Sequence, residues 1–282
     1  MIDHGEHGEH GEPAADLTPE EERKAIAQES PGAGVTHEAI RREGEKELER
    51  SASALAWSGL AAGLSMGLSF LAEATLRAHL PDAPWRPLVA KIGYPVGFLV
   101  VMLGSQQLFT ENTITPIVPL LARRTADMLR KVLVLWAVVL VANVVGTLLF
   151  ALAAARTAAF PAELHDAFAA IGREAMEGDA LGRFARAVPA GWIVALMVWM
   201  LPAAESQKVL VIVVMTWLIG AAGLAHVVAG SAEVQYLAFT GAIPYRAYLL
   251  DYFVPVLLGN VVGGVTLVAA VNHAQVTSGE AG

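Results

Sequence analysis

The chain contains no cysteine. Disulfides, thiolate metal sites and cysteine nucleophiles are therefore excluded. Charge is scarce as well: 16% of the 282 residues are Asp, Glu, Lys or Arg, against roughly 25% in a soluble domain. The net charge is −8 and no basic cluster stands out, so nucleic acid is not an expected partner. The first thirty residues hold no apolar core, which argues against a cleavable leader. His37-Glu38 lacks the second histidine of a zinc-binding helix, and no paired intramembrane carboxylates suggest hydrolytic chemistry. No metal, cofactor or enzymatic activity is expected. No Asn-Pro-Ala tripeptide occurs, which leaves a paired-loop water or glycerol pore as the weaker alternative.

Apolar residues are abundant instead, at 55%, and they are unevenly spread. Residues 1–50 are dense in Glu, Lys, Arg and His. Met1–Pro13 repeats His-Gly-Glu three times, with His4, His7 and His10 at equal spacing. A nickel- or zinc-binding tail is one reading; a solvated, disordered start is the simpler one. Thr18, Pro19 and Glu20–Glu22 read as the capped first turn of a helix. A second short helix is expected from near Thr36 to Arg50. Both read as solvated surface helices without chemistry.

From Leu55 onward six spans of membrane length are predicted: Leu55–Leu76, Ile92–Thr110, Val132–Ala155, Val188–Ala204, Val209–Ala232 and Tyr252–Val271. The stretch between Arg156 and Arg186 reads as a loop with a short helix around Ala162–Ala175. Two spans are unusual. The second ends in Gln106, Gln107, Thr110, Glu111 and Asn112, and the fifth carries His226, with Glu233 just after it. Polar groups at membrane depth persist where they line a protein-walled or wet cavity, so both spans are expected to be broken. Glu73 reads as a snorkelling side chain near a span end. The division is a tail at 1–50, a six-helix channel domain at 51–273 and a short tail at 274–282.

The sequence also repeats internally. Asn143-Val144-Val145-Gly146 recurs as Asn260-Val261-Val262-Gly263, an offset of 117. The same offset carries His226 onto the break at Phe109-Thr110. Each half is then a span, a broken span and an Asn-bearing span. Three is odd, so the halves lie inverted in the membrane, and the site falls where the breaks meet. Two asparagines that merely bond neighbouring helices are the blander alternative. A midspan histidine is a functional candidate by default.

Gly104-Ser105-Gln106-Gln107-Leu108-Phe109-Thr110-Glu111-Asn112, His226-Val227-Val228-Ala229 and Gly259-Asn260-Val261-Val262-Gly263-Gly264 resemble the formate/nitrite transporter family. Leu201-Pro202-Ala203-Ala204-Glu205-Ser206 resembles its YfdC-type branch. The resemblance spans about residues 50–273. It implies an all-α membrane protein, an aquaporin-like 3+3 inverted repeat of six helices, assembled as a homopentamer with a pore in each protomer. It implies passage of small monovalent anions such as formate or nitrite. The family's pore histidine falls on His226, the threonine bonded to it on Thr110, and the sixth-span asparagine on Asn260, with Asn143 its repeat mate. The hydrophobic constrictions fall near Tyr94, Phe98, Leu108, Phe109 and Ile219. Three departures stand out: Arg183 and Arg186 where a lysine is common, Ala225 and Gly230 where larger polar groups are usual, and Gly191 where an asparagine is usual. A bacterial inner membrane with both termini cytoplasmic is the expected setting.

Overall fold

The computed structural model describes residues 32–266 and residue 271. The expected Thr18-capped helix, the histidine-rich start and the 274–282 tail lie outside the described residues. Those described form helices with short 3-10 turns and one π-helical stretch.

The first helix, α1, spans Ala33–Leu48. Ser51 then caps α2 (Ala52–His79), its Oγ accepting from the Ala54 N–H at 3.3 Å. A short α3 (Arg86–Ala90), the turn Lys91–Gly93 and α4 (Pro95–Leu103) form one 18-residue apolar run. Both α3 and α4 carry a proline in the first turn, where a missing N–H costs little. This run starts before the expected Ile92 and ends before the expected Thr110. Past Leu103 the backbone turns away, with Ser105 at φ 49°. After the 3-10 turn Glu111–Thr113 comes α5 (Ile117–Arg123), closed by Arg124 in the left-handed region.

Thr125 caps α6 (Ala126–Arg156) through its hydroxyl. The loop helix α7 is Ala162–Ala175, at the expected bounds. Next, α8 spans Ala180–Ala204, so it begins eight residues ahead of the expected Val188. The predicted fifth span divides: α9 covers Lys208–Ala221 and α10 covers Val227–Thr240, with Gly223 between them at φ 62°. Finally α11 (Tyr245–Ala247), a π-helical stretch Tyr248–Phe253 and α12 (Val254–Gly264) run on as one segment. Among the described residues, five helical runs are long and apolar enough to cross a membrane, and α9 is a shorter apolar helix.

Two helix pairs carry the packing, α2 with α6 and α8 with α12. Glycine makes both possible. A Cβ on Gly63 would stand 2.1 Å from the Asn143 carbonyl oxygen, and one on Gly191 would stand 2.2 Å from that of Asn260. Each backbone therefore lies against the other, as small residues permit. The absence of a side chain at Gly191 thus has a steric cause in this chain.

Helix α1 corrects the expectation of a wholly solvated stretch. Glu47 is 7% exposed. Its carboxylate accepts from Gln107 Nε2 at 3.0 Å and from Thr115 Oγ1 at 2.6 Å. A Cβ on Gly44 would meet the Thr115 carbonyl oxygen at 1.9 Å. The solvated reading holds for the far face, where Glu38, Arg41 and Arg42 pair with one another.

Candidate functional site

The two irregular segments, residues 104–116 and 222–226, meet in the interior, each held by one asparagine. Asn143 Oδ1 accepts from the Phe109 N–H at 2.8 Å, and its Nδ2 donates to the Gly59 and Gln107 carbonyls, both at 2.8 Å. Asn260 does the same in the other half. Its Oδ1 accepts from the Val227 N–H at 2.8 Å, and its Nδ2 donates to the Ala187 and Ala225 carbonyls at 2.8 and 2.9 Å. Both side chains are fully buried. Buried main-chain groups outside a helix need partners, and these amides supply them. The paired contacts run at three offsets: 117 for the asparagines, 118 for Gln107 with Ala225 and 128 for Gly59 with Ala187. A single offset of 117 therefore describes the third helices but not the earlier elements.

His226 caps α10. Its Nδ1 accepts from the Ala229 N–H at 3.1 Å. A neutral imidazole carries one ring proton, so an accepting Nδ1 puts that proton on Nε2. Nε2 lies 2.8 Å from Thr110 Oγ1 and donates to it. The threonine hydroxyl is then free to donate onward. Both residues are buried, at 1% and 0% exposure. Phe98 stands edge-to-face to the His226 ring, 5.1 Å between centroids, and Tyr94 lies tilted against Phe98 at 5.5 Å. Tyr94, Phe98, Leu108, Phe109 and Ile219 all belong to one buried cluster.

Above this cluster opens a cavity of about 450 Å³. His226, Tyr94, Lys91, Arg186, Glu233 and Tyr252 are among the residues that line it. Of the five expected constriction residues, Tyr94 is the one that lines it. The sequence missed most of the wall. Glu73 does not snorkel: it is 1% exposed and ion-paired with Lys91. The eighteen-residue spacing between them carries no helical signal, since they sit on different elements. The two arginines also differ. Arg183 is spent on the carbonyls of Asp251 at 2.6 Å and Gly178 at 2.7 Å, whereas Arg186 faces the cavity with its Nε unbonded among the described residues. At Gly230 a Cβ would fall 1.6 Å from the Tyr252 hydroxyl. The tyrosine thus occupies the space a larger side chain would need, and donates to the His226 carbonyl at 3.3 Å.

Among the described residues no group of His, Asp and Glu is placed to hold a metal. The expected histidine-rich metal tail lies outside them.

The chain is similar to known proteins along most of its length. It is 43% identical to the inner membrane protein YfdC of Escherichia coli over 240 residues, covering 85% of this chain and 77% of that one. Among solved structures, a pentameric formate channel with formate bound superposes with a TM-score of 0.63 at 21% identity, over 78% of this chain and 95% of the other. An ion channel of the FNT family superposes at 0.68 with 20% identity, over 83% and 96%. The family model for the formate/nitrite transporter matches residues 34–274. The chain belongs to the formate/nitrite transporter family.

Proposed function

We propose that this chain forms a channel for small monovalent anions, or their conjugate weak acids, of the formate and nitrite kind. It acts as a transporter, not as an enzyme. The observation that carries the reading is the His226–Thr110 contact, buried beneath an open vestibule where two irregular segments meet. Formate bound in a similarly folded channel supports the substrate class. That channel's pentameric state supports a homopentamer with one pore per protomer.

The membrane arrangement that fits is six spans in a 3+3 inverted, aquaporin-like repeat. The second span is α3–α4 with α5 beyond its break, and the fifth is α9 with α10. The matching asparagine clamps support this symmetry. An even number of spans leaves both termini on one side, here the cytoplasm of a bacterium with the chain in its inner membrane. Residues 51–273 form the channel unit, 274–282 a short tail, and 1–50 a cytoplasmic tail of which α1 is docked onto the unit.

A bare anion among Tyr94, Phe98, Leu108, Phe109 and Ile219 loses hydration worth on the order of tens of kcal/mol in the Born limit. Taking up a proton avoids that cost. Burial favours the neutral form of a weak acid, so formate or nitrite passes as the acid and chloride does not. His226 orients Thr110, whose hydroxyl is the donor offered to the permeant oxygen. Asn143 and Asn260 act on the pore by holding the segments that carry these groups. A neutral-solute pore is the alternative, and it lacks any specific observation in its favour.

The test is a flux panel with purified protein in liposomes, using formate, nitrite, acetate, fluoride and chloride. Formate and nitrite should pass and chloride should lag by an order of magnitude. Equal rates for chloride and formate, or passage of glycerol alone, would sink the proposal.

A further inference from the structure

Glu233 lies on α10, seven residues beyond His226. That spacing is nearly two helical turns, so both face the same side, and both line the cavity. Glu233 is 8% exposed, yet no hydrogen bond from a described residue reaches its carboxylate. Its exposed part opens on the cavity, so the carboxyl is within reach of a solute there.

The surroundings explain why no internal ion pair relieves it. Lys91 is the cation that acts on it, and its ammonium is ion-paired with Glu73 and, at 3.9 Å, with Glu174. Glu174 is itself held by Arg77. Lys91 is thus shared by two other carboxylates. Arg186 lines the same cavity from α8, donates to the Glu177 carbonyl at 2.5 Å and keeps its Nε unbonded, but makes no ion pair with Glu233 among the described residues. The exposed Glu177 carboxyl, the phenol groups of Tyr94 and Tyr252 and the ring of His226 complete the titratable set around the cavity. Of these, the Tyr252 hydroxyl and His226 Nδ1 and Nε2 are already bonded. Glu233 is the buried vestibule carboxyl left open to a solute.

We infer that Glu233 is the proton-loading residue of this channel: its carboxyl protonates the arriving anion in the vestibule, ahead of the packed Tyr94, Phe98 and His226 rings. The inference rests on the weak-acid reading above and deepens it. In the step, the Glu233 O–H bond breaks and a new O–H bond forms on an oxygen of the formate or nitrite. The neutral acid moves on, and the carboxylate left behind takes a proton from water at the vestibule mouth. His226, its Nδ1 held by main chain and its Nε2 by Thr110, then acts as a hydrogen-bonding group and not as the proton source.

The full chain in liposomes, with a pH dye in the lumen, tests this. In the unaltered protein one proton should enter with each formate at pH 7. Glu233→Gln keeps the shape and cannot titrate. Its formate flux at pH 7 should fall tenfold or more, then approach the unaltered rate as the outside is acidified, because bulk water then supplies the neutral acid. Glu233→Asp, still titratable, should keep most of the neutral-pH flux. A Glu233→Gln channel with unchanged rate and pH profile overturns the assignment. So does an intact oligomer in which Gln and Asp variants fail alike at every pH, since that marks a structural role. An unaltered chain that passes none of the panel overturns the channel reading and this assignment with it.

Discussion

The ring of His226 is fixed from both nitrogens, which makes its replacement informative. His226→Phe removes both bonds at similar volume. One lost interaction of about 1.4 kcal/mol is a tenfold rate change, so formate flux should fall by ten or more. Thr110→Val removes the hydroxyl at equal shape and should lower flux comparably while leaving the fold intact. Stopped-flow liposome flux checks both, and an unchanged His226→Phe rate would make the histidine a cap and nothing more. Asn260 differs in kind. Its amide makes three main-chain bonds, and each buried group left unpaired costs about 1–3 kcal/mol. Asn260→Ala should therefore lower the thermal midpoint of the detergent-purified protein sharply, where Thr110→Val should not. Equal midpoints for the two would remove the clamp argument.

Helix α1 is docked in part through one buried carboxyl, that of Glu47. Burial pushes the Glu47 carboxyl above the usual carboxylate range, and the bonds from Thr115 and Gln107 offset part of that. A carboxyl raised by docking holds its proton more firmly when docked. Docking is then strongest at acid pH and is lost as pH rises through the raised value. Amide exchange across residues 33–48, corrected for intrinsic rates, should show protection falling as pH is raised above the ordinary carboxylate range. Glu47→Leu should abolish that dependence. Gly44→Val tests the geometry separately, since the Thr115 carbonyl lies 1.9 Å from a Cβ there. It should expose α1 at every pH. Protection unchanged by Gly44→Val would mean that α1 is held elsewhere.

At the scale of the molecule, the two halves use the same device, a glycine against an asparagine backbone and an asparagine amide against a break. The unit that carries it extends beyond the membrane-length helices, because α1 reaches the first irregular segment through Gln107 and Thr115. Removing residues 1–31, which precede the family match, should leave oligomer size and formate flux unchanged. Removing residues 1–50 should lower the thermal midpoint, because Gln107 and Thr115 lose their shared acceptor. Size-exclusion profiles and flux on both truncations decide it. A 1–50 deletion as stable as the full chain would make α1 a passive appendage.

Much of this was legible in the sequence for a physical reason. Long apolar runs report their solvent directly, because lipid leaves the main chain no partner but its own helix. Polar residues inside such runs stand out against them, which is why His226, Thr110, Asn143 and Asn260 could be named from composition and spacing. What the sequence left open depended on elements far apart in the chain. Span ends were missed because Gly104, Gly223 and the first-turn prolines act locally, while the apolar text continues past them. Glu47 read as solvated because its partners, Gln107 and Thr115, lie 60 and 68 residues away. Glu73 read as snorkelling because its ion pair with Lys91 spans two elements. Hydropathy is a property of the local text and survives without tertiary structure. The partner of a buried charge is a property of three-dimensional proximity, and only the packed helices decide it.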